Sequence, residues 1–136
     1  MKKVLLDTNI VLDIALKRNP FYDESFHVFS LINKKKIKAY ITTTTITDIY
    51  YIVKRKLNHN LSIQFIKDLI SVVSLINVTE KTILSAIDTN NNDFEDAIQS
   101  IAAQENSLDL IITRDKKGFL NSELKVLNPT EFLNTY

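Results

Sequence analysis

The 136-residue chain has no cysteine, no tryptophan, one glycine and two prolines. The missing cysteines exclude disulfides, thiolate metal sites and a cysteine nucleophile, and they suit a reducing cytoplasm. The single glycine, Gly118, excludes both the G-x-G-x-x-G turn and the glycine-rich P-loop, so no nucleotide cofactor is expected. Neither sign of charge dominates: a formal net charge of +1 offers no broad field to draw in a polyanion. Long hydrophobic runs are missing too. The opening "MKKVLLDTN" returns to charge after three apolar residues, too few for a signal-peptide core, and nothing elsewhere approaches a membrane span. The composition predicts a soluble, cytoplasmic protein with no membrane partner.

What is present is the material of a core. Hydrophobic residues make up 45% of a chain whose length fits one domain, residues 1–136. Short apolar or β-branched runs at 3–7, 39–42, 75–79, 109–113 and 124–128 read as strands buried on both faces. Between them, 9–18, 21–36, 44–58, 62–73, 80–88 and 94–106 carry apolar residues three and four apart, as in Ile46, Ile49, Tyr50 and Val53, the pattern of helices that face a sheet. Strands joined through helices run parallel. The fold class is therefore α/β, a three-layer α/β/α sandwich around a central, mainly parallel five-stranded sheet. "DTNNND", residues 88–93, is the most loop-like stretch. Two basic clusters, Lys34, Lys35, Lys36 with Lys38 and Lys54, Arg55, Lys56, fit helix ends, where cations complement the dipole. Tyr50, Tyr51, Phe26 and Phe29 are expected in the core.

In an open parallel sheet the ligand site lies beyond the carboxyl ends of the strands, and four carboxylates fall near that edge. Asp7 ends the first strand in "VLLDTN", and Asp48 lies one turn into the helix after the second, in "TTTTITDIYYIV". Asp96 starts a helix in "NDFEDAIQSIAA", and Asp115 follows the fourth strand in "LIITRDKKGF". Taken singly, most have an ordinary reading. Asp7 caps a helix or starts an Asx-turn, Asp96 sits at the positive end of its helix with Asp93 as cap, and Asp115 occupies a turn. Asp48 resists, because Asp is a mediocre helix former and its neighbours Ile46, Ile49 and Tyr50 place it on a largely buried helix. Converging carboxylates need protons or a cation. Oxygen donors without cysteine or a histidine cluster suit Mg2+ or Mn2+ rather than zinc, since His27 and His59 lie away from the strand ends. Such an ion suits hydrolysis of a phosphodiester.

The strand ending in "DTN", the acid in "TTTTITDIYYIV", the "DFEDA" helix and "TRDKKGF" followed by "VLNPTEFL" come in one order. Together they resemble the PIN-domain ribonucleases, notably the VapC-like branch of bacterial toxin components, over residues 3 to 133. The resemblance implies a compact α/β/α domain that holds Mg2+ or Mn2+ in a cluster of acids and cleaves RNA, with a cognate antitoxin protein and a homodimer. By position it makes Asp7, Asp48, Asp96 and Asp115 the catalytic, metal-binding set. It places Asn9 beside Asp7 as a supporting or substrate contact, Thr113 as an alternative to Asp115, and Asp93 as a fifth acid near Asp96. Thr8 keeps a capping role. Two places depart from the family's pattern: Asp48 stands where Glu is usual, shorter in reach by roughly 1.5 Å, and Gly118 stands where the toxin branch often has an acid. Arg114, Lys116 and Lys117 are expected to hold the RNA backbone. Two other readings stay open. One is a catalytically weak or inactive PIN-like module that binds RNA or a protein. The other is a phosphoaspartyl enzyme or receiver domain, which also uses an Asp at the end of its first strand but needs further acids and a late lysine that have no place here.

Overall fold

A computed structural model of the chain describes residues 1–136 in full. Strands β1 (Lys2–Leu6), β2 (Ile37–Thr42), β3 (Ser74–Ile76), β4 (Leu110–Ile112) and β5 (Lys125–Leu127) form one sheet in the order β3-β2-β1-β4-β5, every pair parallel. Helices α1 (Thr8–Ala15), α2 (Tyr22–Asn33), α3 (Thr43–Lys56), α4 (His59–Ile70), α5 (Glu80–Asp88) and α6 (Phe94–Glu105) occupy the crossovers, and α7 (Pro129–Thr135) follows β5. This is the expected five-stranded α/β/α arrangement. Helix α4 begins at His59, ahead of its apolar pattern, because Asn58 caps it: the side-chain oxygen accepts from the Leu61 N–H at 2.8 Å. A 3-10 turn, Lys116–Phe119, and α7 were not among the expected elements; both are too short to show a helical period.

Alternation along the strands divides the core in two. Val4 and Leu6 of β1 and Leu110 and Ile112 of β4 join Ile10, Val28, Ile49, Leu69 and Phe132 from helices on one face. Leu5 and Ile111 join Ala102 and Ala103 of α6 and Phe119 on the other. Phe29 is buried as expected, but Phe26 and Tyr51 are 50% and 63% exposed. Each lies on a helix with one face on the sheet and falls outside that apolar stripe.

The strand order reverses between β1 and β4. The chain leaves β1 toward β2 and β3 and returns through α5 and α6 to β4, on the other side of β1. A crevice opens where consecutive connections part to opposite sides. Asp7 and Thr113, the first residues beyond β1 and β4, stand at its floor.

Candidate active site

Asp7 is tied to both strands that flank the crevice. Its backbone N–H donates to the Ile112 carbonyl at 3.0 Å, and its extended backbone makes it the N-cap of α1. Its Oδ1 accepts from the Thr8 N–H at 2.7 Å and from the Gln99 amide at 3.2 Å, while Oδ2 accepts from the Thr113 hydroxyl at 2.7 Å. The cap is thus Asp7 and not Thr8, whose hydroxyl instead pairs with that of Thr45 at 3.0 Å. Capping and site are one arrangement, because a donor that closes the helix also fixes the carboxylate.

Asp96 reaches the crevice from the first turn of α6, where the Asp93 side chain accepts its backbone N–H at 3.0 Å. A Cβ on Gly118 would lie 1.6 Å from Asp96 Oδ2, so any side chain there would drive the carboxylate away. Gly118 has no left-handed backbone; what it provides is space. The departure from the family's pattern at 118 is therefore coupled to the position of Asp96. Asp48 enters half-buried from α3, and Asp115, exposed beyond β4, donates its backbone N–H to the Thr113 hydroxyl at 3.0 Å. A cleft of about 290 Å³ is lined by Asp7, Asn9, Asp48, Asp93, Glu95, Asp96 and Asp115, and by no Lys or Arg. The four expected acids do come together, with Asn9 and Asp93 beside them and Thr113 beneath.

Crowding shows in their proton affinities. Burial raises Asp7 above its ordinary value, hydrogen bonds from Thr113, Gln99 and Thr8 oppose the rise, and the charge of Asp115 adds to it. Asp96 is pushed up to about 8, first by burial and then by the charges of Asp7, Asp93 and Asp115. Glu95 is also pushed up to about 8, first by its hydrogen bond with Asp48, then by burial and by negative neighbours. Carboxylates close together in a partly dry cleft respond in this way.

The cations expected on RNA are placed differently. Arg114 turns inward to Asp13, Nε donating to Oδ2 at 2.7 Å and Nη2 to Oδ1 at 3.1 Å, with the Phe21 ring centroid 3.7 Å from its Cζ. Asp13 is wholly buried and needs that charge inside the fold, which corrects the expectation for Arg114. Lys116 pairs with Glu131 at 3.0 Å. Lys117 is the one of the three without a carboxylate partner. His59 shares a hydrogen bond with the Tyr50 hydroxyl at 2.8 Å and His27 is exposed, so neither enters the cleft.

Two residues of the site were missed in the sequence. Glu95 stands inside "DFEDA", but neighbouring helical positions point in different directions and only the fold shows that both Glu95 and Asp96 reach the cleft. Gln99 did carry a signal, since it lies three residues after Asp96 and so on the same helix face.

No three of these side chains stand in position to grip one metal ion. The donor chemistry nevertheless fits a hard divalent cation: six carboxylates, no nitrogen or sulfur ligand, and two acids raised to about 8, Asp96 first by burial and Glu95 first by its hydrogen bond with Asp48, with negative neighbours adding to both.

Residues 3–117 match the family model described as the PIN domain. Ribonuclease VapC1 of Aquifex aeolicus (strain VF5) is 26% identical over an alignment 136 positions long that covers 96% of this chain and 93% of that protein. Among solved structures, a toxin-antitoxin complex from Klebsiella pneumoniae gives a TM-score of 0.70 at 21% identity, over 93% of this chain and 97% of that one. VapC20 of Mycobacterium tuberculosis, a sarcin-ricin loop cleaving toxin, gives 0.70 at 12% identity, over 85% and 92%. At such identities the two structural likenesses speak for the fold.

Proposed function

The chain belongs to the PIN domain family, whose model covers residues 3–117, and on that premise we propose that it is a divalent-metal-dependent endoribonuclease, the toxin of a toxin-antitoxin pair. The observation that carries this reading is the convergence of Asp7, Asp48, Glu95, Asp96 and Asp115 from four parts of the chain on one cleft at the switch point of the sheet. Like charges so placed weaken the fold unless something positive joins them. Asp7, Asp48, Asp96 and Asp115 would hold Mg2+ or Mn2+, with Glu95 and Asp93 adding negative charge. When bound, such an ion supplies a water of lowered pKa and offsets the charge that develops on the scissile phosphate.

The chain's own part is orientation. Thr8, Gln99 and Thr113 donate to both oxygens of Asp7, so its remaining lone pairs face the cleft in one direction. Thr113 also receives the Asp115 N–H and so couples the two acids. Asn9 faces the cleft, and its Oδ1 accepts from Arg18 at 3.4 Å, which brings one positive charge to the rim. Lys117 is the cation left to meet an RNA phosphate.

The relative named ribonuclease VapC1 supports RNA as substrate, and the toxin-antitoxin complex supports a cognate antitoxin as partner. A homodimer and a cytoplasmic setting complete the proposal; no helix is long and apolar enough to cross a membrane. Purified protein is expected to cleave RNA in Mg2+ or Mn2+, to stop with chelator, and to lose activity in Asp7→Asn. Equal cleavage by Asp7→Asn overturns the assignment. That no three of the gathered carboxylates stand in position to grip one ion favours one alternative, a PIN-like binding module with weak or no catalysis. Thermal melting with millimolar Mn2+ separates the two, because a ligand of the folded state raises its Tm and no shift favours the module.

A further inference from the structure

Beside the acidic cleft lies a second recess, of about 440 Å³, between the loop at 89–93 and the turn at 116–121. The two hollows share Asp93 and Asp115 as a common wall. Asn91 braces the recess: its amide donates to the Gly118 carbonyl at 3.0 Å, and its Oδ1 accepts from the Asp93 N–H at 3.1 Å. The loop and the turn are thereby held at a set spacing. Asn90, Asn92 and Asn121 also line the recess; all three are exposed, and unlike Asn91 their side-chain amides make no hydrogen bond within the protein, so they are open to solvent or to a ligand. Lys117 brings an amine, and Leu120, 79% exposed, brings a bare apolar surface.

We propose that this recess is a nucleobase subsite, selective for a base with an exocyclic amine next to a ring-nitrogen acceptor, adenine foremost. The proposal rests on the ribonuclease reading above for the RNA chain whose phosphate enters the cleft. A primary amide offers one donor and one acceptor side by side, the complement of the adenine N6 and N7 edge. The Asp93 and Asp115 carboxylates only accept, so they favour an amino group and disfavour the carbonyl-flanked edge of uracil. Leu120 gives the flat face of the base an apolar contact, and Lys117 is placed for the phosphate of the same nucleotide. Uncommitted amides are what separate this recess from the cleft, whose lining is chiefly carboxylate.

Mononucleotides test it without any need for cleavage. In 15N-labelled protein, adenosine 5′-monophosphate is expected to shift the side-chain amide signals of Asn90, Asn92 and Asn121 at concentrations at least about fivefold below those needed for uridine 5′-monophosphate, the low end of one good amide contact. Equal affinities, or shifts scattered away from these residues, overturn the subsite. The combined Asn90→Ala, Asn92→Ala and Asn121→Ala protein should lose the difference; if that protein is unfolded, the comparison of the two nucleotides on the unmodified protein decides alone. Cleavage of hexa-adenylate and hexa-uridylate RNA is scored in parallel. Cleavage with no nucleotide preference sinks the subsite and leaves the nuclease standing. Preference without cleavage supports the subsite and counts against the nuclease.

Discussion

Asp7 and Asp13 stand at the two ends of α1, both buried, at 4% and 0% exposure, and the fold treats them in opposite ways. Asp13 receives a forked pair of hydrogen bonds from the Arg114 guanidinium, with Arg18 also 3.7 Å away. Asp7 receives only neutral donors, and around it the fold gathers five more carboxylates. A buried charge completed within the chain holds elements together; here it joins α1 to the segment after β4. A charge left uncompleted is what the proposed metal site would use, and without a cation the folded state carries its repulsion.

The contrast is broken most directly at Asp13. Arg114→Met leaves a buried carboxylate with the more distant Arg18 as its remaining cation, and should cost about 3–5 kcal/mol in urea unfolding. Asp7→Asn should unfold at the same or a higher urea concentration while cleavage of RNA disappears. Equal losses of stability in the two proteins would show that Asp7 is as structural as Asp13. Crowding is tested at Gly118. Gly118→Ala forces a methyl group onto Asp96 and is expected to lose cleavage, with roughly 1–3 kcal/mol of stability from overpacking. Unchanged cleavage would mean that Asp96 can work from another position.

Gln99 sharpens the comparison more gently. It is 1% exposed, its amide donates to Asp7, and its own oxygen has no partner. In Gln99→Leu the lost hydrogen bond is offset by removal of that orphaned acceptor, so unfolding should barely change. Affinity for Mn2+ should nonetheless fall about 10–100-fold, the usual cost of releasing a ligand from its orienting partner. A titration that finds the affinity unchanged would reduce Gln99 to packing.

Asp7, Asp48 and Asp115 were legible in the sequence because each falls just beyond a strand or early in a helix that follows one, and Asp96 because it opens the helix that leads back into β4 and so starts at the same edge. Arg114 was misread for the converse reason. Its partner, Asp13, is 101 residues away in a helix whose burial no local pattern reveals, so "TRDKK" looks like a solvated basic run. Glu95 and Gln99 depend on the rotation of α6 against the sheet, which is a packing outcome. Gly118 read as a missing acid, and only the approach of Asp96 shows that it is a vacancy the site uses. The sheet itself was legible from five apolar runs, whereas the start of α4 followed a cap and the last short helix left no period to read.

One effect titrates. Asp96 and Glu95 hold protons in the fold up to about 8, against ordinary values of 3.8 and 4.5. Below the ordinary values both acids are neutral in the folded and the unfolded chain, and they cost the fold nothing. As pH rises above them, the unfolded chain ionises while the fold keeps its protons, so the fold binds more protons and stability falls with pH until about 8. Metal-free protein in chelator should therefore melt lower at pH 8 than at pH 5. Saturating Mn2+ should flatten that slope, because the cation takes the place of the protons, and binding to the folded state alone should raise the whole curve. A metal-free Tm that is level or climbs across this range would mean that the cleft is less crowded with charge than its geometry states, and the contrast with Asp13 would narrow to a difference in burial.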